Sequence, residues 1–129
     1  MAKYAHADVL DNGLNAIRLG ANEMWLLSAY ADADSYATVL AAKLAGVAMD
    51  IVDPTTDYVL SGADNAARVL TTAIKTATAS ASGSAAAIAF VSTTASKVLW
   101  VTEETSGQAV TLGNTVNFPA LTYTSSQPT

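Results

Sequence analysis

The sequence predicts a mainly β protein with a minor α component: an antiparallel β-sandwich or meander with one or two short N-terminal helices. Three observations support this fold class. The span between Lys75 and Lys97 lacks ionisable side chains and alternates hydroxyl-bearing with small apolar residues. Short runs rich in β-branched and aromatic residues recur through the second half, and turn residues separate them. The chain has 129 residues, the size of one domain with one core.

The first thirty residues predict a helix followed by a strand. Apolar residues recur at spacings of three and four through residues 7–19, with aspartates early and Arg18 late, which suits the helix dipole. Gly20 is expected to end this helix. The apolar run 23–30 that follows is short and aromatic, which favours a buried strand.

A second short helix is predicted after the loop 31–34. Asp34 or Ser35 can cap this helix, the alanines that follow favour it, and Gly46 is expected to end it. Further extended segments are predicted at 47–52, where Asp53-Pro54 closes the strand, and at 58–61.

Residues 67–81 predict a long strand with a break in its alternation. Leu70 and Ile74 share one face, whereas the alanines at 77, 79 and 81 share the other. Because one extra residue reverses every side chain of a strand, we expect a β-bulge or a bend near Lys75 or Thr76. The remaining predicted elements are a hairpin turn at 82–84, strands at 86–92, 97–102, 108–111 and 114–124, turns at 93–96 and 113–114, and a reversal of facing around Pro119.

These elements form one domain spanning residues 1–129, with an N-terminal arm at 1–7 and a C-terminal tail at 124–129. We expect the arm and the tail to contact neighbouring molecules.

Composition and charge exclude several classes of function. The net charge is −5 and the six Lys and Arg are scattered, which disfavours nucleic-acid binding because neutralising phosphates takes clustered cations. No cysteine is present, so thiol and disulfide chemistry are excluded. The N-terminus lacks the apolar stretch of a signal peptide, and the charge-free span is too rich in Thr, Ser and Gly for a membrane helix. We therefore expect synthesis in a cytoplasm and neither nucleic-acid nor membrane partners.

No residue pattern predicts a catalytic, cofactor or metal site. His6 is the single histidine, and there is no second His or Cys to complete a zinc site. Asp32 and Asp34 resemble the start of a calcium loop, and the aspartates elsewhere that could bind such a cation are Asp8, Asp11, Asp50 and Asp53. The glycine and the distal glutamate of an EF-hand are missing, so loop and capping roles are favoured for these aspartates. Glu103 and Glu104 are adjacent and would point to opposite faces of a strand. The chain is therefore predicted not to be an enzyme.

The aromatic residues divide into core and contact candidates. Trp25 and Trp100 are flanked by apolar residues and are predicted to lie in the core. The five tyrosines, Tyr58 among them, are predicted to be partly exposed, and tyrosines of this kind are enriched at protein interfaces. The predicted interface residues are Lys3, Tyr4, His6, Tyr30, Tyr36, Tyr123 and Pro128.

Seven segments carry a resemblance that covers nearly the whole chain. They are Ala7-Asp-Val-Leu-Asp-Asn-Gly-Leu-Asn-Ala-Ile-Arg18, Asn22-Glu-Met-Trp-Leu-Leu-Ser-Ala29, Ser35-Tyr-Ala-Thr38, Arg68-Val-Leu-Thr, Ile88-Ala-Phe90, Lys97-Val-Leu-Trp-Val-Thr102 and Gln108-Ala-Val-Thr-Leu-Gly-Asn-Thr-Val-Asn-Phe-Pro119. In this order they resemble a family of small structural proteins of tailed bacteriophages, encoded among head and tail genes.

The resemblance implies a virion protein that assembles in the host cytoplasm. The leading hypothesis is a capsid decoration or cement protein that stabilises the head by binding the major capsid protein lattice, as a homo-oligomer and most simply a trimer. The alternative is a tail, baseplate or fibre-associated structural protein that either joins longer components or contacts the host surface or a glycan. A third hypothesis is a carbohydrate-binding module with an exposed Trp or Tyr platform.

Overall fold

A computed structural model describes residues 7–63, 66–103 and 108–126, with backbone alone for residues 7–9 and 103. The helices are α1 (Ala7–Arg18) and α2 (Tyr36–Ala41), and a 3-10 turn covers Pro54–Thr56. The strands are β1 (Glu23–Leu27), β2 (Lys43–Ala48), β3 (Tyr58–Ser61), β4 (Arg68–Thr72), β5 (Lys75–Thr78), β6 (Gly83–Ser84), β7 (Ala87–Ser92), β8 (Lys97–Glu103), β9 (Ala109–Val110), β10 (Thr115–Phe118) and β11 (Thr122–Ser125). The predicted mainly antiparallel β fold with two N-terminal helices is confirmed.

One layer is a four-stranded antiparallel sheet with strand order β2-β1-β7-β8. Alternate side chains point to opposite faces of a strand, so Met24 and Leu26 share one face with Phe90 and Ile88, while Trp25 faces the other way. All six residues of β7 are buried, because this strand is central and both faces of the sheet are covered.

The other layer is a two-stranded ribbon in which segments of residues 68–85 pair with segments of residues 108–125. A turn at 111–114, in which the Asn114 amide donates to the Thr111 carbonyl at 3.0 Å, separates β9 from β10 and agrees with the turn predicted at 113–114. The pairing keeps one register from Arg68 opposite Ser125, through Lys75 opposite Phe118, to Gly83 opposite Val110. Backbone hydrogen bonds continue this register between the strands, since Thr72 donates to the Leu121 carbonyl at 2.8 Å. Strand β3 pairs with the remaining edge of β4.

The break in alternation predicted near Lys75 or Thr76 is present, and it lies at Ala73 and Ile74. Leu70 and Thr72 are buried before the break, and Ala79 is buried after it. A β-bulge adds a residue to one strand and shifts the register, but the register here is the same on both sides, so the feature is a bend. Ile74 was predicted to share a face with Leu70, and this is wrong because Ile74 lies at the bend and is 74% exposed.

Two apolar clusters hold the layers together. The main core lies between the four-stranded sheet and the ribbon, and α1 contributes Leu14 and Ile17 to it. A smaller cluster covers the opposite face of the sheet, where Val39 of α2 packs with Trp25 and Leu27. The predicted sandwich is thus a sheet packed against a ribbon, with one helix over each side of the sheet.

The second helix is shorter than the sequence predicts. Ser35 is its N-cap, and its hydroxyl accepts a hydrogen bond from the Thr38 backbone amide at 3.2 Å, as expected. Gly46 does not end this helix, because α2 ends at Ala41 and Gly46 lies within β2, opposite Trp25. A Cβ at position 46 would lie 2.9 Å from Cδ1 of Trp25, so the glycine makes room for the indole.

The predicted hairpin turn at 82–84 is wrong. Gly83 and Ser84 form β6, which pairs with β9, and the following strand β7 pairs with β1 and β8. Alternation in a sequence indicates which residues share a face of a strand and carries no information on the neighbouring strand, which is why the partner was misassigned.

The predicted boundaries of the arm and the tail also change. Ala7 is the first residue of α1, and Thr124 and Ser125 belong to β11, where they lie opposite Val69 and Arg68. The arm residues 1–6 and the tail residues 127–129 lie outside the described part of the chain.

Candidate interaction surface

Among the described residues, the strands of the ribbon and β3 present an outward face without charged side chains. It consists of the side chains that alternate with the buried ones, and all are exposed or half-buried. Its ten residues, six of them threonine, are Val59, Ser61, Val69, Thr71, Thr76, Thr78, Thr115, Asn117, Thr122 and Thr124. We call this set the outward face.

The two basic residues of the ribbon point away from the outward face. Arg68 forms a two-point contact with Asp11 of α1, with Nε 2.8 Å from Oδ1 and Nη2 3.2 Å from Oδ2. Lys75 places its Nζ 2.7 Å from Oδ1 of Asp57. Both cations are therefore paired on the inward side, and the outward face stays uncharged.

Asp57 organises the loop between β2 and β3. Its side chain is 4% exposed, and besides Lys75 it accepts a hydrogen bond from the Asp50 backbone amide at 2.6 Å. Its backbone carbonyl accepts from the amide of Ala73, at the bend of the ribbon. Sequence analysis missed this residue, because its partner Lys75 is distant in the chain and no local pattern marks the pair.

The loop aspartates considered as calcium ligands bind backbone amides. Asp34 Oδ2 accepts from the amide of Ala31 at 2.8 Å, and Asp50 Oδ1 accepts from the amides of Val52 and Asp53. Within the described ranges, no three His, Cys, Asp or Glu side chains are grouped so that they could hold a metal ion. The predicted loop roles of Asp34 and Asp50 agree with these contacts. The side chain of Glu103, with Glu104, lies outside the described residues.

Tyr58 is buried, which contradicts the predicted partial exposure of all tyrosines. Its hydroxyl donates to the Ala21 carbonyl at 2.6 Å, and its ring lies 6.3 Å from that of Phe90. Burial raises the pKa of Tyr58 above the usual value of 10.0, and the neighbouring Asp57 carboxylate raises the pKa further. The side chain therefore serves as a neutral hydrogen-bond donor inside the core.

Of the seven predicted interface residues, the structure describes three, and Tyr123 packs against a different cluster from Tyr30 and Tyr36. Tyr30 and Tyr36 are half-buried against the smaller cluster, where the Tyr36 ring lies 5.5 Å from that of Trp25. Tyr123 is 42% exposed, and its ring stands edge-on to Trp100 at 5.4 Å, beside the main core. The other four, Lys3, Tyr4, His6 and Pro128, lie outside the described residues.

The tryptophans are packing residues. Trp25 is buried, as predicted, with Nε1 donating to Glu23 at 2.9 Å and the Lys43 ammonium 4.8 Å from the ring centroid. Trp100 is half-buried, and one face of its ring stacks on Phe90 at 4.6 Å. Neither indole forms the open platform that the carbohydrate-module hypothesis requires.

Comparisons with protein-family models, with curated proteins and with solved structures find no match for this chain. In the described part of the chain, no helix is both long enough and apolar enough to cross a membrane.

Proposed function

We propose that this protein is a non-enzymatic structural component of a tailed bacteriophage virion, specifically a capsid decoration protein that binds the major capsid protein lattice through the outward face. A trimer at positions of local threefold symmetry is the proposed assembly. The resemblance of the seven segments supports the virion assignment, and the outward face supports a role in protein contact.

The absence of charge on the outward face is the observation that carries the proposal. A surface designed for solubility has roughly a quarter to a third of its residues charged, whereas none of the ten residues here is charged. Burying such a face against a partner leaves no unpaired charge behind. Threonine and valine are also stiff at χ1, so little side-chain freedom is lost when they are covered.

Decoration does not require a single strong contact. A weak contact that is repeated by symmetry-related copies gives high total avidity, because the second and third contacts are made at high effective concentration. A broad face of small hydroxyl and apolar groups suits this mode of binding better than a deep pocket does.

The test introduces one charge on the outward face and an identical charge elsewhere. Thr78 and Thr94 are both exposed threonines, but Thr94 lies in the turn between β7 and β8 and outside the outward face. We expect Thr78→Glu to lower the occupancy of the protein on capsids, measured by cryo-electron microscopy of particles, and Thr94→Glu to leave it unchanged.

The same maps test the location. Density repeated over the capsid lattice supports decoration, and density at the tail or baseplate would replace this proposal with the tail-protein alternative. Absence of the protein from the particle would refute the virion assignment. Equal occupancy of the two glutamate variants would refute the role of the outward face alone.

A further inference from the structure

A cavity opens beside the main core, between the ribbon and the four-stranded sheet. Its volume is about 240 Å³. Segments 108–111 and 114–117 of the ribbon form one wall, and residues of β1 and β7 form the opposite wall. Sites for drug-sized ligands occupy about 300–1,000 Å³, so this cavity has room for one small molecule or for one ring of a larger one.

The floor of the cavity is apolar. Four of the lining residues are buried, and all four belong to the main core. They are Leu26, Ala85, Ile88 and Val116. Among the described residues that line the cavity, none is aromatic. Planar aromatic ligands bind by stacking on aromatic side chains, so this floor favours a saturated ring whose C–H groups contact aliphatic side chains.

The rim of the cavity is polar and uncharged. Five lining residues carry a carboxamide or a hydroxyl, and all five are exposed. They are Gln108, Thr111, Asn114, Thr115 and Asn117. No described residue of the lining is ionisable, so a charged ligand would lose hydration without gaining a counter-charge. The rim therefore favours a neutral ligand that both donates and accepts hydrogen bonds.

Strand register selects two of the rim side chains. Gln108 lies opposite Ala85, whose amide donates to the Gln108 carbonyl at 2.7 Å, and Asn114 accepts in the same way from Ala79 at 2.8 Å. Residues that lie opposite each other in an antiparallel pair share a face, and both alanines are buried. The carboxamides of Gln108 and Asn114 therefore lie on the inward side of the ribbon, where the cavity opens. Each carboxamide provides two N–H donors and one carbonyl acceptor.

We propose that this cavity binds one ring of a neutral sugar, either a free hexose or the terminal residue of a glycan. The C–H groups of the ring lie on the aliphatic floor, and its hydroxyls exchange hydrogen bonds with Gln108 and Asn114. The site differs from the aromatic platform of a carbohydrate-binding module, because Leu26 and Ile88 take the place of aromatic rings. The proposal does not depend on the virion assignment or on the outward face.

The experiment titrates isotope-labelled protein with D-glucose, D-galactose and D-mannose in turn, while backbone amide resonances are recorded by NMR. We expect at least one hexose to shift the amides of Ala109, Asn114 and Val116, with a dissociation constant in the millimolar range because a single ring makes few contacts. The uronate of that hexose adds a charge, and its alditol has no ring to hold the hydroxyls in place. Both should bind at least about tenfold more weakly.

The methyl glycoside of the same hexose distinguishes the two sources of the sugar. Retained binding of the glycoside identifies the terminal residue of a glycan, because the anomeric position then points out of the cavity. Loss of binding identifies the free hexose as the ligand.

Two pairs of variants locate the site. Asn114→Ala removes a carboxamide of the rim, and Asn12→Ala makes the same change at an exposed position of α1. Ala85→Leu fills the cavity at its floor, and Ala95→Leu makes the same change in an exposed turn. We expect Asn114→Ala to weaken hexose binding about fivefold, Ala85→Leu to abolish it, and the two controls to leave it unchanged. If Ala85→Leu does not fold, the asparagine pair decides alone, since both of its residues are exposed.

Several results would overturn the proposal. These are the absence of binding by all three hexoses, equal binding of the uronate or the alditol, and equal weakening by Asn114→Ala and Asn12→Ala. Tighter binding of uracil, a neutral planar ring, than of any hexose would contradict the argument from the aliphatic floor and assign the cavity to a different class of ligand.

Discussion

Replacing Asp57 by alanine tests whether the buried ion pair holds the bend of the ribbon in place. The Asp57 carboxylate lies 2.7 Å from the Lys75 ammonium and accepts the Asp50 amide at 2.6 Å. Asp57→Ala therefore leaves a partly buried cation without its partner and a backbone amide without its acceptor. Both losses act on the junction between the β2–β3 loop and the ribbon.

The magnitude follows from the exposure of the two partners. Removing one partner of a buried ion pair costs about 3–5 kcal/mol, and Lys75, which is 27% exposed, can still reach water, so the lower end applies. The lost hydrogen bond to a charged acceptor, about 1.5–3 kcal/mol, overlaps with this cost. We expect Asp57→Ala to lower the free energy of unfolding by about 3 kcal/mol, and Asp57→Asn, which keeps an acceptor for the Asp50 amide, by about half as much.

The assay is urea denaturation followed by tryptophan fluorescence, with Asp32→Ala as the matched control. Asp32 lies in an exposed loop, so its replacement should change the free energy of unfolding by less than about 0.5 kcal/mol. The double variant with Lys75→Met should lose less than the sum of the two single losses, because no unpaired charge remains. The reasoning fails if Asp57→Ala is no more destabilising than Asp32→Ala, or if the two losses add.

Three further predictions concern stability, each measured by denaturation. Gly46→Ala should lower the free energy of unfolding by about 1–3 kcal/mol, because a Cβ there meets Trp25. Gly13→Ala, where a Cβ meets no atom within 4 Å, should raise the free energy of unfolding by about 0.5–1 kcal/mol. Equal effects of the two variants would contradict the packing argument. Above pH 10.0 the free energy of unfolding should fall by up to about 1.4 kcal/mol per pH unit, because Tyr58 ionises at these pH values only in the unfolded protein. If the Tyr58→Phe variant shows the same dependence of the free energy of unfolding on pH, Tyr58 is not the cause. Ser35→Ala should lower the free energy of unfolding by about 1 kcal/mol, because α2 loses its N-cap hydrogen bond. An unaltered midpoint of denaturation would show that α2 does not need this cap.

Elements defined by local spacing were predictable. Leu10, Leu14 and Ile17 recur along one helix face and are all buried in α1, and the extended segment 58–61 coincides with β3. The cap at Ser35 is likewise a local contact, made over three residues. For α1 and for the cap of α2, the periodicity or contact that decides the structure joins residues close in sequence.

Features that depend on distant partners were not predictable. Gly46 is a helix-ending residue by local rules, yet Trp25 of the neighbouring strand makes it a strand residue. Tyr58 resembles the other tyrosines in sequence, and its burial follows from the packing of β3 against Phe90. The pairing of β6 with β9 joins segments that the chain separates by β7 and β8.

The candidate surfaces divide in the same way. The sequence alone determined that the segment 76–96 carries no charge and alternates hydroxyl with small apolar groups, since both properties belong to the residues themselves. Tertiary structure alone decided that Thr76 and Thr78 join Thr122 and Thr124 on one exposed face, and that Lys75 turns inward to Asp57. The physical reason is that side-chain chemistry and periodicity are local, whereas strand register and burial depend on which distant segments bury their apolar side chains together.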